Sequence, residues 1–354
     1  MKTARAASHR VMILSALLGA LLIVCVVALP GSRPERPTAR IYWGAYVEGA
    51  QTYRKLLGGT WTDAPWDVRT VARFQSDAGK VMSIEHWGMC WTCAFDSAIA
   101  NVVVGRGDIP AIDWSNDSSA TDADIAAGKY DTQITAVAQA MKAFGHPLFL
   151  LFDEEMNANW YPYSPGVNGN TAASFVAMWR HIHDVFDSVG ATNVTWVWCP
   201  NVDPDNTMTP MSEVYPGDAY VDWTGLNGYN WGNVNGNQWL TFSQVFSSSY
   251  NTLLSIAPSK PIMIGETASA EAGGSKARWI ADLFIQLPTR FPRVDALLWF
   301  NWRIHQKGQW WPWEIESSPS AQHAFARGIG APYYAAGGSF GDLPSLTKVQ
   351  PLSG

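Results

Sequence analysis

The sequence predicts an α/β protein, a (β/α)8 barrel preceded by an N-terminal apolar anchor or signal segment. Three observations predict it. Seven short apolar runs rich in β-branched and aromatic residues recur between residues 41 and 301. Helix-like stretches fill most of the intervals, and that alternation means a parallel sheet. No Gly-rich phosphate loop follows any run, which weighs against the alternative, a doubly wound open sheet. The 354 residues suffice for one large barrel.

The N-terminal segment reads apart from the rest. Lys2, Arg5 and Arg10 precede Val11–Leu29, 19 residues without a charge. That length matches a membrane span of about 20 residues better than a signal-peptide core of about 7–15. A basic end before an uncleaved anchor follows the positive-inside tendency. The alternative is an export signal cut at the small-residue pattern Val26–Ala28. Residues 1–29 are therefore assigned to an anchor or signal peptide, and 30–40 (PGSRPERPTAR) to a stiff, basic linker. A barrel is expected over 41–332 and a C-terminal tail over 333–354.

Within the barrel, IYWGAY (41–46) and VMSIEH (81–86) come first, separated by the helix-like WDVRTVARFQSDAG. The interval 87–147 has room for an eighth, less regular strand. LFLLFD (148–153) follows DTQITAVAQAMKAFG, whose final Gly suits a helix C-cap. VTWVWC (194–199) follows TAASFVAMWRHIHDVFDSVG. VDWTGL (221–226), PIMIGE (261–266) and ALLWFN (296–301) complete the set, the last after SKARWIADLFIQL.

Composition narrows the function. Residues 1–40 hold six Lys/Arg and one Glu, leaving 18 basic against 29 acidic residues, a net of −11. No basic stripe is present, so nucleic acid is excluded as a partner. Cys90 and Cys93 form CWTC, which in an exported chain suits a local disulfide. A redox motif would want a thioredoxin-like context, and zinc would need further ligands at suitable spacing. His181 and His183, two apart on a helix, do not share a face. The acids of DPDN (203–206) and DAD (122–124) read as loop turns rather than calcium ligands. NDS (116–118) and NVT (193–195) are glycosylation sequons that matter only in a eukaryotic secretory host.

The chemistry concentrates at LFLLFDEEMNANWYP (148–162), where an apolar run ends in Asp153, Glu154 and Glu155. Acids in a row are costly to bury, but in a barrel the strand C-termini carry the active site. KPIMIGETAS ends its apolar run at Glu266 in the same way, and VDWTGLNGYNWG delivers Asn227, Tyr229 and Trp231. Taken singly, an acid at a strand end is a salt-bridged or capping group. Two Glu residues amid Trp and Tyr suit glycoside hydrolysis, one donating a proton and the other attacking or activating water. Aromatic rings complement the apolar faces of sugars. Successive strand residues point to opposite faces, so of Glu154 and Glu155 one is expected to reach the scissile bond and the other to project aside.

These residues resemble glycoside hydrolase family 26, retaining (β/α)8 enzymes that include endo-β-mannanases and some β-glucanases. DEEMNANWYPY is similar to the family's HEMNGxWYPW, and KPIMIGETAS to its nucleophile strand. VDWTGLNGYNWG, ALLWFN, WEIESSPSAQHAF and GKYD (128–131) also fit, so the resemblance runs from about residue 41 to 330. It implies that Glu155 is the acid/base, Glu266 the nucleophile and Tyr229 the residue orienting the nucleophile. Trp160, Trp299, Trp231 and His86 would contact sugar. For each Trp the plain alternative is core packing, and for His86 a satisfied structural histidine. The chain departs from the family at Leu151, usually Arg, at Glu154, usually His, and at Ala158, usually Gly. A carboxylate at 154 changes which sugar is favoured, so Glu154 joins the candidate substrate contacts.

The resulting expectation is a retaining, endo-acting hydrolase of β-1,4-mannan or a mannan/glucan-like exopolysaccharide, needing no metal or cofactor. The alternatives are a β-1,3-1,4-glucanase of the same family and a membrane-tethered glycan-binding barrel without turnover. The expected partner is a polysaccharide. The protein is expected to be a monomer, extracytoplasmic, and anchored in the membrane if the apolar segment is uncleaved.

Overall fold

The computed structural model describes residues 40–116, 120–204, 206–306 and 308–352. The candidate anchor at 11–29 lies outside the described residues, as do most of the linker, part of the first sequon and Asp205. Among the described residues, no helix is long and apolar enough to cross a membrane.

Eight parallel strands close into a barrel in chain order. They are β1 (Tyr42–Val47), β2 (Ile84–Cys90), β3 (Ile109–Ser115), β4 (Leu148–Phe152), β5 (Val194–Trp198), β6 (Trp223–Asn230), β7 (Ile262–Ser269) and β8 (Val294–Asn301). The chain therefore folds as a (β/α)8 TIM barrel. The strand the sequence left unplaced is β3, whose IPAIDWS is broken by a proline and an acid and so makes a weak strand signal.

Around the barrel lie α1 (Thr52–Leu57), α2 (Val68–Ala78), α3 (Ser97–Gly105), α4 (Asp122–Ala126) and α5 (Asp131–Phe144). The shell continues with α6 (Ala172–Val189), α7 (Phe242–Ile256), α8 (Lys276–Arg290) and α9 (Pro319–Ile329). Most begin at an Asp, Thr or Ser whose side chain accepts a backbone N–H of the first turn, as Asp67, Thr171 and Thr241 do. Each such cap contributes about 1 kcal/mol. After β8 a hairpin of β9 (Arg303–Gln306) and β10 (Gln309–Pro312) stands on the C-terminal face.

Pleating divides each strand between two cores. Tyr42, Ile84, Phe149, Val197, Trp223 and Leu298 fill the barrel interior. Their neighbours Trp43, Trp114, Phe152 and Trp196 pack against the helices. The interior is sealed at its N-terminal end by the segment expected to be a tail. Tyr42 Oη donates to Gln350 O at 3.0 Å and Trp223 Nε1 to Val349 O at 3.1 Å, while Val349 N donates to Thr195 Oγ1 at 2.8 Å. Residues 333–352 are a floor, and the open end is left at the strand C-termini. Beside that open end, Cys90 and Cys93 are joined by a disulfide.

Candidate active site

Strand β4 stops at Phe152, and the next residues leave extended geometry. Asp153 and Glu155 take left-handed φ angles of 43° and 55°. For non-glycine residues each such angle costs on the order of 1–3 kcal/mol and persists only where neighbours enforce it. The neighbours are explicit. Asp153 Oδ1 accepts Asn116 N at 2.6 Å, tying β4 to the end of β3, and Glu155 N donates to Cys199 O at 2.8 Å at the end of β5. This turn overrides strand alternation. Glu154 and Glu155 are both buried, and their carboxyls take different partners, Asn227 for Glu154 and Asn201 with Trp160 for Glu155.

Four carboxyl groups converge there. Glu155 Oε1 accepts Asn201 Nδ2 at 2.7 Å and its Oε2 accepts Trp160 Nε1 at 2.9 Å. Asn157, from the same motif, clamps the Asn201 backbone from both sides, at 2.8 and 2.9 Å. Burial pushes the Glu155 carboxyl up, and the donors Asn201 and Trp160 pull against it. Glu266 comes from β7 at a break in register with both neighbouring strands. Its Oε2 accepts the hydroxyl of Tyr229, from β6. Burial and then the nearby Glu155 raise the Glu266 carboxyl well above the usual range.

Glu154 Oε2 accepts Asn227 Nδ2 at 2.7 Å. Burial, followed by Asp113, Glu266 and Glu155, lifts Glu154 well above its ordinary value. Asp113, on β3, accepts Ser115 Oγ at 2.9 Å and is pushed up to about 6, mainly by burial. Among the described residues no Lys or Arg makes an ion pair with any of the four. Like charges so close and so dry cannot all ionise, so protons are shared among them.

The walls are aromatic. Trp160 is half exposed beside Glu155. Tyr46 stacks on Trp302 at 5.9 Å and meets Phe300 at 5.5 Å, and Phe300 lies edge-on to Tyr229 at 5.7 Å. Trp231 is half-buried behind Tyr229, edge-on to Trp311 and Trp313 at 4.8 and 5.0 Å, where it supports the hairpin. His86 is buried on β2 under the edge of Tyr46 at 5.4 Å, and neither ring nitrogen has a hydrogen-bond partner among the described residues. Burial pushes it down to about 3, so it is neutral.

Trp299 is a correction. Its indole donates to Trp313 O at 3.0 Å and packs on Phe325 of α9 at 5.3 Å, in the helical shell. On β8 the inward residues are Leu298 and Phe300, so pleating turns Trp299 away from the mouth. Phe300 and Trp302 line it instead. Sequence reading also missed Asp113, Asn201 and Tyr46. All three sit at or just past strand ends, and that position is the signal by which they could have been found.

Carboxyl groups set among Trp and Tyr rings at the C-terminal mouth of a (β/α)8 barrel define a carbohydrate-hydrolase class of site. Comparison with known proteins agrees. The model for Glycosyl hydrolase family 26 matches residues 67–268, and the chain belongs to that family. It is 39% identical over 279 residues to Endoglucanase H of Acetivibrio thermocellus, an alignment covering 77% of this chain and 30% of that protein. It is 27% identical over 190 residues to β-1,3-xylanase TXYA of a Vibrio species, covering 50% of this chain and 35% of the relative. The chain thus spans about a third of the length of these curated relatives. The fold superposes on the catalytic domain of a Bacillus sp. JAMB-750 endo-β-1,4-mannanase with a TM-score of 0.61 and 16% identity, covering 86% of this chain and 89% of that one.

Proposed function

We propose that this chain is a retaining, endo-acting β-glycoside hydrolase that cleaves a neutral β-linked glucan or glucan-like exopolysaccharide by double displacement. The observation that carries the reading is the burial of Glu155 and Glu266 together at the barrel mouth, just past β4 and on β7, where the nearby Glu155 raises the proton affinity of Glu266. A buried pair of that kind holds one proton and one negative charge, the resting state that acid-assisted displacement needs. The motif resemblance assigns the proton to Glu155 and the charge to Glu266. Glu155 protonates the departing glycosidic oxygen while Glu266, held by Tyr229, attacks the anomeric carbon. Water then enters, with Glu155 as base, and the glycosyl ester breaks.

Glucan is favoured over mannan on two grounds. The similarity to Endoglucanase H is far higher than that to the mannanase structures, which speak for the fold alone. The residue before the acid is also Glu154 where mannanases of the family carry His. Export fits the Cys90–Cys93 disulfide, since such bonds persist in oxidising compartments. The apolar segment at 11–29 then serves as anchor or export signal, which fractionation of the producing cell tests.

The main test is release of reducing ends from lichenan, glucomannan and mannan, with NMR of the first-formed anomer. Lichenan is expected to be cut fastest, with retained configuration. Glu266→Ala should abolish turnover, and Glu155→Gln should lower kcat by about 10²–10⁴-fold. Binding without cleavage of every β-linked polymer would overturn the reading in favour of a glycan-binding barrel.

A further inference from the structure

Lys276 is a buried cation that the mechanism above leaves unused. It opens α8, at the positive end of the helix dipole, where a lysine is locally unfavourable. Its side chain is fully enclosed, so the ammonium has to find acceptors within the protein. It finds three. Nζ donates to Pro312 O at 2.6 Å, to Glu314 O at 2.8 Å and to Ser317 Oγ at 2.9 Å. Those bonds use every ammonium hydrogen. Ser317 passes its own hydrogen to Glu271 Oε1 at 2.6 Å, just past the end of β7. The charged groups facing the ammonium are Glu271, Glu314, Glu316 and Arg303, and Arg303 is itself paired with Glu314.

Two of the three acceptors flank one residue, Trp313. Its own backbone is tied as well, N donating to Trp302 O at 3.2 Å and O accepting the Trp299 indole at 3.0 Å. The Trp313 ring is buried and lies 5.4 Å from Tyr229, 5.0 Å from Trp231 and 5.3 Å from Trp311, on which it stacks. Tyr229 gives its hydroxyl hydrogen to Glu266 Oε2. A continuous path of contacts thus leads from Lys276, through the backbone and ring of Trp313, to the tyrosine on the nucleophile.

Resting on the hydrolase reading above, we propose that Lys276 is a positioning residue: by holding the chain on either side of Trp313 it fixes the ring against which Tyr229 sets Glu266 for attack. Removing the ammonium strands its acceptors, and the segment must shift to find other donors. Lys80 is the internal control. Its ammonium also meets three oxygens, Ile329 O and Ala331 O at 3.0 Å and Tyr334 O at 2.6 Å, but these lie at the end of α9 and in the barrel floor.

The test is a double-mutant cycle on kcat per folded molecule. Lys276→Met should lower kcat by about 10- to 100-fold. Lys80→Met should lower the urea midpoint and leave kcat alone. Tyr229→Phe keeps the ring on Trp313 and deletes the hydroxyl through which Lys276 acts, so in that background Lys276→Met should cost less than about twofold. An undiminished loss in the Tyr229→Phe background, no loss in the wild-type background, or an equal loss from Lys80→Met overturns the proposal. If Lys276→Met does not fold, Ser317→Ala removes one acceptor from the same ammonium and takes its place in the cycle. Its smaller loss should again vanish beside Tyr229→Phe, and a loss that persists or never appears overturns the proposal. NMR of protein labelled at the tyrosine ring carbons decides it without turnover. The resonance lost in Tyr229→Phe should move in the lysine or serine variant and stay in Lys80→Met. If it stays in all of them the proposal fails, even where the wild type cuts polysaccharide. If the wild type cuts none, the hydrolase reading fails and that resonance alone judges the path from Lys276.

Discussion

Trp160 shows how one side chain can serve two purposes. Its ring is half exposed at the mouth, where it can lie against a sugar, while its N–H ends on Glu155 Oε2 at 2.9 Å. That bond favours the ionised carboxylate and so lowers the proton affinity that burial raises. Trp160→Phe keeps the ring and deletes the donor. Glu155 should then hold its proton to higher pH, and the basic limb of the activity profile should move up. A basic limb that stays or moves down would refute this account of the acid.

At the scale of the element, the decisive feature is the irregularity in β7. Register breaks against β6 and again against β8 around Gly265, and Glu266 follows at once. An extra residue in a strand re-aims the side chain beside it. Gly265 is needed because a Cβ there would lie 2.6 Å from Cys199 Sγ and 2.7 Å from Asn227 Oδ1. Gly265→Ala should destabilise the fold by about 1–3 kcal/mol and also displace the Glu266 and Asn227 groups. Gly328→Ala is the control, since its Cβ would meet Phe284 at 1.9 Å inside the helical shell. Both variants should unfold at lower urea concentration. Only Gly265→Ala should lose kcat per folded molecule.

The whole molecule buries many acids, and its stability should follow them. Burial raises Asp113 and Asp295 to about 6, Asp122 and Glu316 to about 7, and Asp108 to about 8. Each binds its proton more tightly folded than unfolded. Its stabilisation is complete below about pH 4 and is lost as pH rises through the folded value. His86, pushed down to about 3, works the other way and favours folding above about pH 6.5. Lys276, lowered to about 8, has already lost its contribution below that pH. Five carboxyls outweigh one imidazole, so the urea midpoint should be higher at about pH 5.5 than at about pH 8. The opposite order would mean these acids are solvated or paired in solution.

What the sequence by itself determined was periodic or contiguous. Alternating apolar runs and capped helices specify a barrel because each element must bury one face. The motif around Glu155 and the strand ending at Glu266 are legible because catalytic acids follow apolar runs. Tertiary structure decided everything that depends on where a backbone leaves its period. The left-handed turn at 153–155 gave the two buried acids Glu154 and Glu155 different partners, and β8 pleating carried Trp299 out. Asp113 joined the site through a weak strand, and the tail became the barrel floor. Such outcomes rest on contacts between residues far apart in the chain, and local sequence carries no energy term for those.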